Sequence, residues 1–140
     1  MCIRDRNNSS GLWVSDGTEN GSQFLKEFYI NSGEFTILKN ELFFRGDDGN
    51  GFAFWKSDGT VAGTIKLADM PQSPNGGFAY PIEIQQVGNR IFFLSGETNE
   101  PNKLWVSDGT ESGTQILVDF GNSAATVSYT HLTLPTIYSV

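Results

Sequence analysis

Apolar residues along the chain fall in short runs broken by glycine, asparagine and aspartate, and the runs keep one order. Phe35 to Leu38 and Ile82 to Val87 each lead into a two-residue break, Lys39-Asn40 and Gly88-Asn89, whose Asn and Gly tolerate the positive φ of a tight hairpin. Leu42-Phe43-Phe44 and Ile91-Phe92-Phe93 follow, and here apolar residues do not alternate with polar ones. A strand with one wet face alternates, so these strands are expected to be covered on both faces. Polar stretches come next, Gly46 to Gly51 and Ser95 to Asn102, and are read as loops. The chain re-enters strands at Phe52 to Lys56 and Lys103 to Val106, bends at Ser-Asp-Gly-Thr, and runs through a fourth strand at Thr64 to Asp69 and Thr114 to Asp119. Pro71 to Pro81 holds three prolines and two glycines and reads as a crossing between units rather than strand interior.

The third-to-fourth strand segment is written three times, as LWVSDGTENGSQFL from Leu12, FWKSDGTVAGTIKL from Phe54 and LWVSDGTESGTQIL from Leu104. Trp13, Trp55 and Trp105 stand 42 and 50 residues apart, a period that suits four-stranded propeller blades and exceeds that of short helical repeats. The expectation is an all-β chain, an open fragment of a β-propeller with about two and a half four-stranded antiparallel blades. Its units are a partial blade over 7–33, contributing its last two strands, and complete blades over 34–79 and 80–126. Propellers close with about four to eight blades, so an open array leaves an uncovered face and bare strand edges at each end.

Within the cassette, Asp16-Gly17, Asp58-Gly59 and Asp108-Gly109 read as a structural turn device. Glycine takes backbone angles denied to other residues, and aspartate bonds back to nearby N–H groups. Ser15, Ser57, Ser107, Thr18, Thr60 and Thr110 flank the turn with hydroxyls for further backbone groups. The second glycine, Gly21, Gly63 or Gly113, is placed where the loop re-enters the fourth strand. Trp13, Trp55 and Trp105 are expected in the core, spanning the gap between adjacent units with each indole N–H on a carbonyl, and Leu25, Leu67 and Leu117 repeat in step with them.

WVSDGTENGS, WKSDGTVAGT and WVSDGTESGT resemble the ELWxxDGT repeat of large bacterial proteins, over essentially all of Leu12 to Phe120. The likeness takes in the aromatic strand between cassettes and the closing aspartates Asp69 and Asp119; Ser22, Glu27 and Phe54 depart mildly from the pattern. The resemblance implies a propeller-like array in exported or cell-surface proteins, and it supplies no catalytic residue. MCIRDR at 1–6 and VSYTHLTLPTIYSV at 127–140 share nothing with the cassette and resemble translated sequencing-library adapter, so both are read as non-native tails on an internal piece of a longer protein.

Cys2 and His131, the single cysteine and histidine, lie in those tails. Setting the tails aside moves the net charge from −7 to −8 by removing Arg4, Asp5 and Arg6. An acidic chain without clustered Lys and Arg argues against nucleic acid or an anionic membrane as partner. No apolar run has the roughly 18 residues of a membrane span. Neither cofactor nor resident metal is expected.

The leading functional expectation is a non-enzymatic module that holds loops for a protein or carbohydrate partner, with Asp47, Asp48, Asn50, Glu97, Asn99 and Glu100 as candidate binding residues on the variable loops. The alternative is a fragment of a sialidase-like glycoside hydrolase propeller, whose aspartate boxes also sit at blade turns. That chemistry takes an arginine cluster to grip the substrate carboxylate, and outside the tails the chain has Arg45 and Arg90. Calcium binding by Gly46 to Gly51 is a third reading, with oxygens on Asp47, Asp48 and Asn50 but without the alternate spacing and closing glutamate of an EF-hand.

Overall fold

The computed structural model describes residues 2–6, 9–29, 34–71, 79–97 and 100–120, and these form strands, turns and bends with no helix. Eleven strands follow in chain order: β1 (Cys2–Arg6), β2 (Ser9–Val14), β3 (Gln23–Glu27), β4 (Phe35–Leu38), β5 (Glu41–Asp47), β6 (Phe52–Ser57), β7 (Ile65–Asp69), β8 (Tyr80–Val87), β9 (Arg90–Glu97), β10 (Glu100–Ser107) and β11 (Gln115–Asp119). They make three antiparallel meanders, a three-stranded sheet β1-β2-β3 and four-stranded sheets β4-β5-β6-β7 and β8-β9-β10-β11. These are called the first, middle and last sheet below.

Local chemistry sets the hairpins. Lys39 and Asn40 both take positive φ, 51° and 67°, which is the type I′ signature, and they bring Leu38 opposite Glu41. Gly88 takes φ of 60° and joins Val87 to Arg90, so the β8–β9 turn is equally tight.

The sheets join through two apolar layers. Leu12, Leu25 and Phe28 of the first segment pack with Leu42, Phe44, Ala53 and Trp55 of the middle sheet. The opposite face of the middle sheet sends Leu38, Phe43, Phe54 and Leu67 into a second layer with Ile91, Phe93 and Trp105 of the last sheet. Neighbouring residues on a strand point to opposite faces, so Phe43-Phe44 and Phe54-Trp55 each serve both layers. The Phe54 and Phe93 rings stack at 4.3 Å between centroids, and Phe28 meets Phe44 and Trp55 edge-on at 5.2 and 4.9 Å. Gly46 is small because a Cβ there would meet the Phe28 ring at 2.7 Å.

Four features differ from the sequence expectation. The first sheet has three strands, because Cys2–Arg6 pairs antiparallel with Ser9–Trp13; main-chain pairing to an open edge requires no cassette sequence. The polar stretch at 95–102 is mostly strand, with β9 running to Glu97 and β10 starting at Glu100. Glu97 and Glu100 are therefore paired strand residues rather than loop residues. Asp47 likewise closes β5, opposite Phe52, rather than lying in a loop. Pro81 belongs to β8, which is tolerable because β8 is an edge strand. Residues 127–140, read as a foreign tail, lie outside the described residues.

Phe54→Ala is expected to destabilise the chain by about 3–5 kcal/mol, since the ring is fully buried between two sheets. Phe24→Ala, at a half-exposed ring, is expected to cost no more than about 1 kcal/mol. Urea denaturation followed by tryptophan fluorescence distinguishes the two.

Candidate functional site

The cassettes fold into one hydrogen-bonded turn, repeated three times. In the second copy the Thr60 amide and the Thr60 hydroxyl both donate to Asp58 Oδ1, at 2.9 and 2.7 Å, and the Gly63 amide donates to Thr60 Oγ1 at 2.9 Å. The Thr64 hydroxyl donates to the Thr60 carbonyl at 2.7 Å, and the Gly59 amide donates to Ser57 Oγ at 3.1 Å. Ser57 and Thr64 hydroxyls lie 2.8 Å apart; the Thr64 proton is committed to Thr60, so Ser57 is the donor. Every hydroxyl in this relay both gives and receives. The first copy repeats it through Asp16, Thr18 and Ser22, and the third through Asp108, Thr110 and Thr114. Ser22 in place of threonine changes nothing essential, because the hydroxyl makes the same two contacts.

Both glycines of the cassette are required, for different reasons. Gly17, Gly59 and Gly109 take φ of 93°, 93° and 94°, the region that excludes side chains with a Cβ. Gly21, Gly63 and Gly113 instead lie under the aspartate, where a Cβ would overlap the Asp16, Asp58 or Asp108 carboxylate. Closing the loop, their expected role, thus includes making room for that carboxylate. The three aspartates are solvent-exposed, and their carboxyls are held below the ordinary aspartate range, chiefly by the threonine hydroxyl and then by the threonine amide.

Trp55 and Trp105 are buried as expected, the first with its N–H on the Gly46 carbonyl at 3.2 Å. Trp105 departs from the expected carbonyl partner and donates to Ser95 Oγ at 2.9 Å. Trp13 is half-buried and meets Phe24 edge-on at 5.2 Å. Beside each tryptophan the ladder slips by one residue. Phe54 faces Ala68 while Trp55 faces Lys66, so Leu67 is the extra residue of a β-bulge. Leu25 and Leu117 occupy the same place opposite Leu12-Trp13 and Leu104-Trp105. The closing aspartates hold lysines, Asp69 with Lys66 at 2.7 Å and Asp119 with Lys103 at 3.2 Å.

Of the candidate binding residues, Asp47, Asp48 and Asn50 come together at the β5–β6 connection. Asp47 Oδ1 accepts from the Gly49 and Gly51 amides at 2.8 and 3.0 Å. Asp48 Oδ1 accepts from the Asn50 amide and side chain at 3.3 and 3.2 Å. One oxygen of each carboxylate thus shapes the loop, leaving the second oxygen of each for an outside donor. Asn99 lies outside the described residues. Among the described residues no three acidic, cysteine or histidine side chains come together in a way that could hold a metal ion, and no helix is long and apolar enough to cross a membrane.

Of the two arginines, Arg45 is buried, donates from Nη1 to the Pro81 carbonyl at 3.2 Å and lies 4.9 Å over the Tyr80 ring, joining the middle and last sheets. Arg90 is exposed at the start of β9. Sequence reasoning did not single out Glu83, which takes φ of 54° where the β8–β9 register slips. Burial, and then the nearby Glu34, push its carboxyl above the ordinary range.

Gly63→Ala is expected to destabilise the chain more than Gly59→Ala. The first displaces the Asp58 carboxylate and both of its bonds, while the second adds backbone strain of about 1–2 kcal/mol; urea titrations of the two variants compare them. Because the cassette aspartates have depressed pKa values, their contribution is complete above the unfolded value of about 3.9 and is lost as pH falls through the lower folded value. Glu83 shifts the opposite way, for causes that do not include the cassette aspartates. Replacing Asp16, Asp58 and Asp108 together by Asn is therefore expected to flatten the acid limb of the melting-temperature profile below the unfolded aspartate value of about 3.9. Comparison of the chain with protein-family models, with curated proteins and with solved structures found no match.

Proposed function

We propose that the chain is a section of a β-propeller, part of a larger exported or cell-surface protein, whose sheets act as blades and whose loops bind a carbohydrate or protein partner without catalysis. The observation that carries this reading is the middle sheet, covered on one face by the first sheet and on the other by the last, in chain order and through equivalent residues. Radial stacking of blades has that requirement. The cassettes support a scaffold role, because their hydroxyls and one oxygen of each aspartate are engaged with their own turn. The second carboxylate oxygens of Asp47 and Asp48, beside the Asn50 amide, suit the hydroxyls of a sugar or the amides of a peptide. Arg45, which a sialidase would need for its substrate carboxylate, is engaged between two sheets.

A glycan array probed with the chain, beside a variant carrying Ala at Asp47, Asp48 and Asn50, tests the reading. Binding to neutral glycans that the variant loses is the expected result. Turnover of a fluorogenic sialoside, abolished by replacing Arg45 or Arg90, would overturn it in favour of the hydrolase.

A further inference from the structure

An exposed aromatic ring lies beside the β5–β6 loop. Phe28 is buried between the first and middle sheets, and the residue after it, Tyr29, stands outside that layer with 57 % of its surface exposed. The two segments are tied together. The Tyr29 amide donates to the Asp47 carbonyl at 2.7 Å, and a Cβ built at Gly49 would lie 3.7 Å from Tyr29 Cε2. Gly49 takes φ of 97°, so where it meets the ring no side chain intervenes.

The stacking of sheets requires neither part. Three residues after the bulge leucine, Phe28 and Met70 fill one buried place, but the next place holds Tyr29 in one unit and Pro71 in the other. The loop is equally particular. Asp47 and Asp48 bond to the amides of their own connection, whereas in the last sheet Glu97 faces Glu100 on a continued ladder. A ring and an oxygen-rich loop, each missing from the next unit, thus meet at one spot.

Local charge then selects among ligands. Asp47 and Asp48 each have a carboxylate oxygen beyond those that shape the loop, and Lys66, within range of the Asp48 charge, is held by Asp69 at 2.7 Å. Three carboxylates against one lysine disfavour an anion. An uncharged pyranose fits, because its C–H face is apolar and its rim carries hydroxyl donors.

We propose that Tyr29 is the stacking platform of this site, receiving the C–H face of a neutral pyranose whose hydroxyls donate to Asp47 and Asp48. This rests on the loop-binding reading above and narrows its partner to a sugar.

The test uses the full chain and its Tyr29→Ala and Tyr29→Phe variants on an array of neutral oligosaccharides of glucose, galactose, mannose and N-acetylglucosamine, with sialylated glycans beside them. The unaltered chain is expected to bind a neutral oligosaccharide. Tyr29→Ala is expected to weaken that binding by about tenfold or more, and Tyr29→Phe by no more than about threefold, because the phenyl face remains. Nuclear magnetic resonance of the bound oligosaccharide supplies a readout that a merely structural role would not move: upfield ring-current shifts of its C–H protons, present with the unaltered chain and lost with Tyr29→Ala. Should Tyr29→Ala unfold, those shifts on the unaltered chain decide the matter, and their absence overturns the proposal. Neutral binding that the variant with Ala at Asp47, Asp48 and Asn50 loses but a folded Tyr29→Ala retains overturns the platform and leaves the loop reading intact. Binding of sialylated glycans alone also overturns it. A silent array overturns it too, and leaves the loops to a protein partner.

Discussion

A sheet that is apolar on both faces is stable only between two partners, and the middle sheet is such a sheet. Phe43 and Phe54 face one way while Phe44 and Trp55 face the other, and all four are buried. At roughly 25 cal/mol per Å² of apolar surface removed from water, neither face could be left wet without a loss comparable to the net stability of a small domain. The order of sheets in space therefore follows the order in the chain.

Turn and bulge act at the two ends of the same strand pair. The Asp-Gly-Thr relay closes β6 onto β7 with its polar groups satisfied locally, so the hairpin forms without drawing on the neighbouring sheets. The bulge then places Leu67 and Ala68 toward the last sheet, where Trp105 needs an apolar floor. A single cassette of about fourteen residues thus specifies a hairpin and one side of a junction. The tryptophan and leucine repeat in step because they belong to opposite sides of successive junctions, which sequence spacing could suggest but could not orient.

Much of this is legible in the sequence. The Lys39-Asn40 and Gly88-Asn89 hairpins, the aspartyl-glycine turns, the burial of Trp55 and Trp105 and the covering of both sheet faces each have a local sequence cause, either a residue with special backbone freedom or a broken alternation. What escaped has a non-local cause. β1 pairs through its main chain, which carries no side-chain signature. Glu97 and Glu100 are polar yet lie in strands, because a β-ladder extended past the core imposes no apolar requirement. Leu67 as a bulge, Gly63 as the floor under a carboxylate and Phe28 as the wedge between two sheets depend on where other segments arrive. The loop site was legible only as a cluster of oxygens; that half of them shape their own loop required the hydrogen bonds.

The claim that the sheets stack face to face through their aromatic residues is tested most directly by nuclear Overhauser contacts in the chain. Cross-peaks between the ring protons of Phe54 and Phe93, and between Phe28 and the Trp55 indole, are predicted, since their centroids lie 4.3 and 4.9 Å apart. Absence of both, with the Trp55 and Trp105 indole N–H protons exchanging freely with water, would contradict the account.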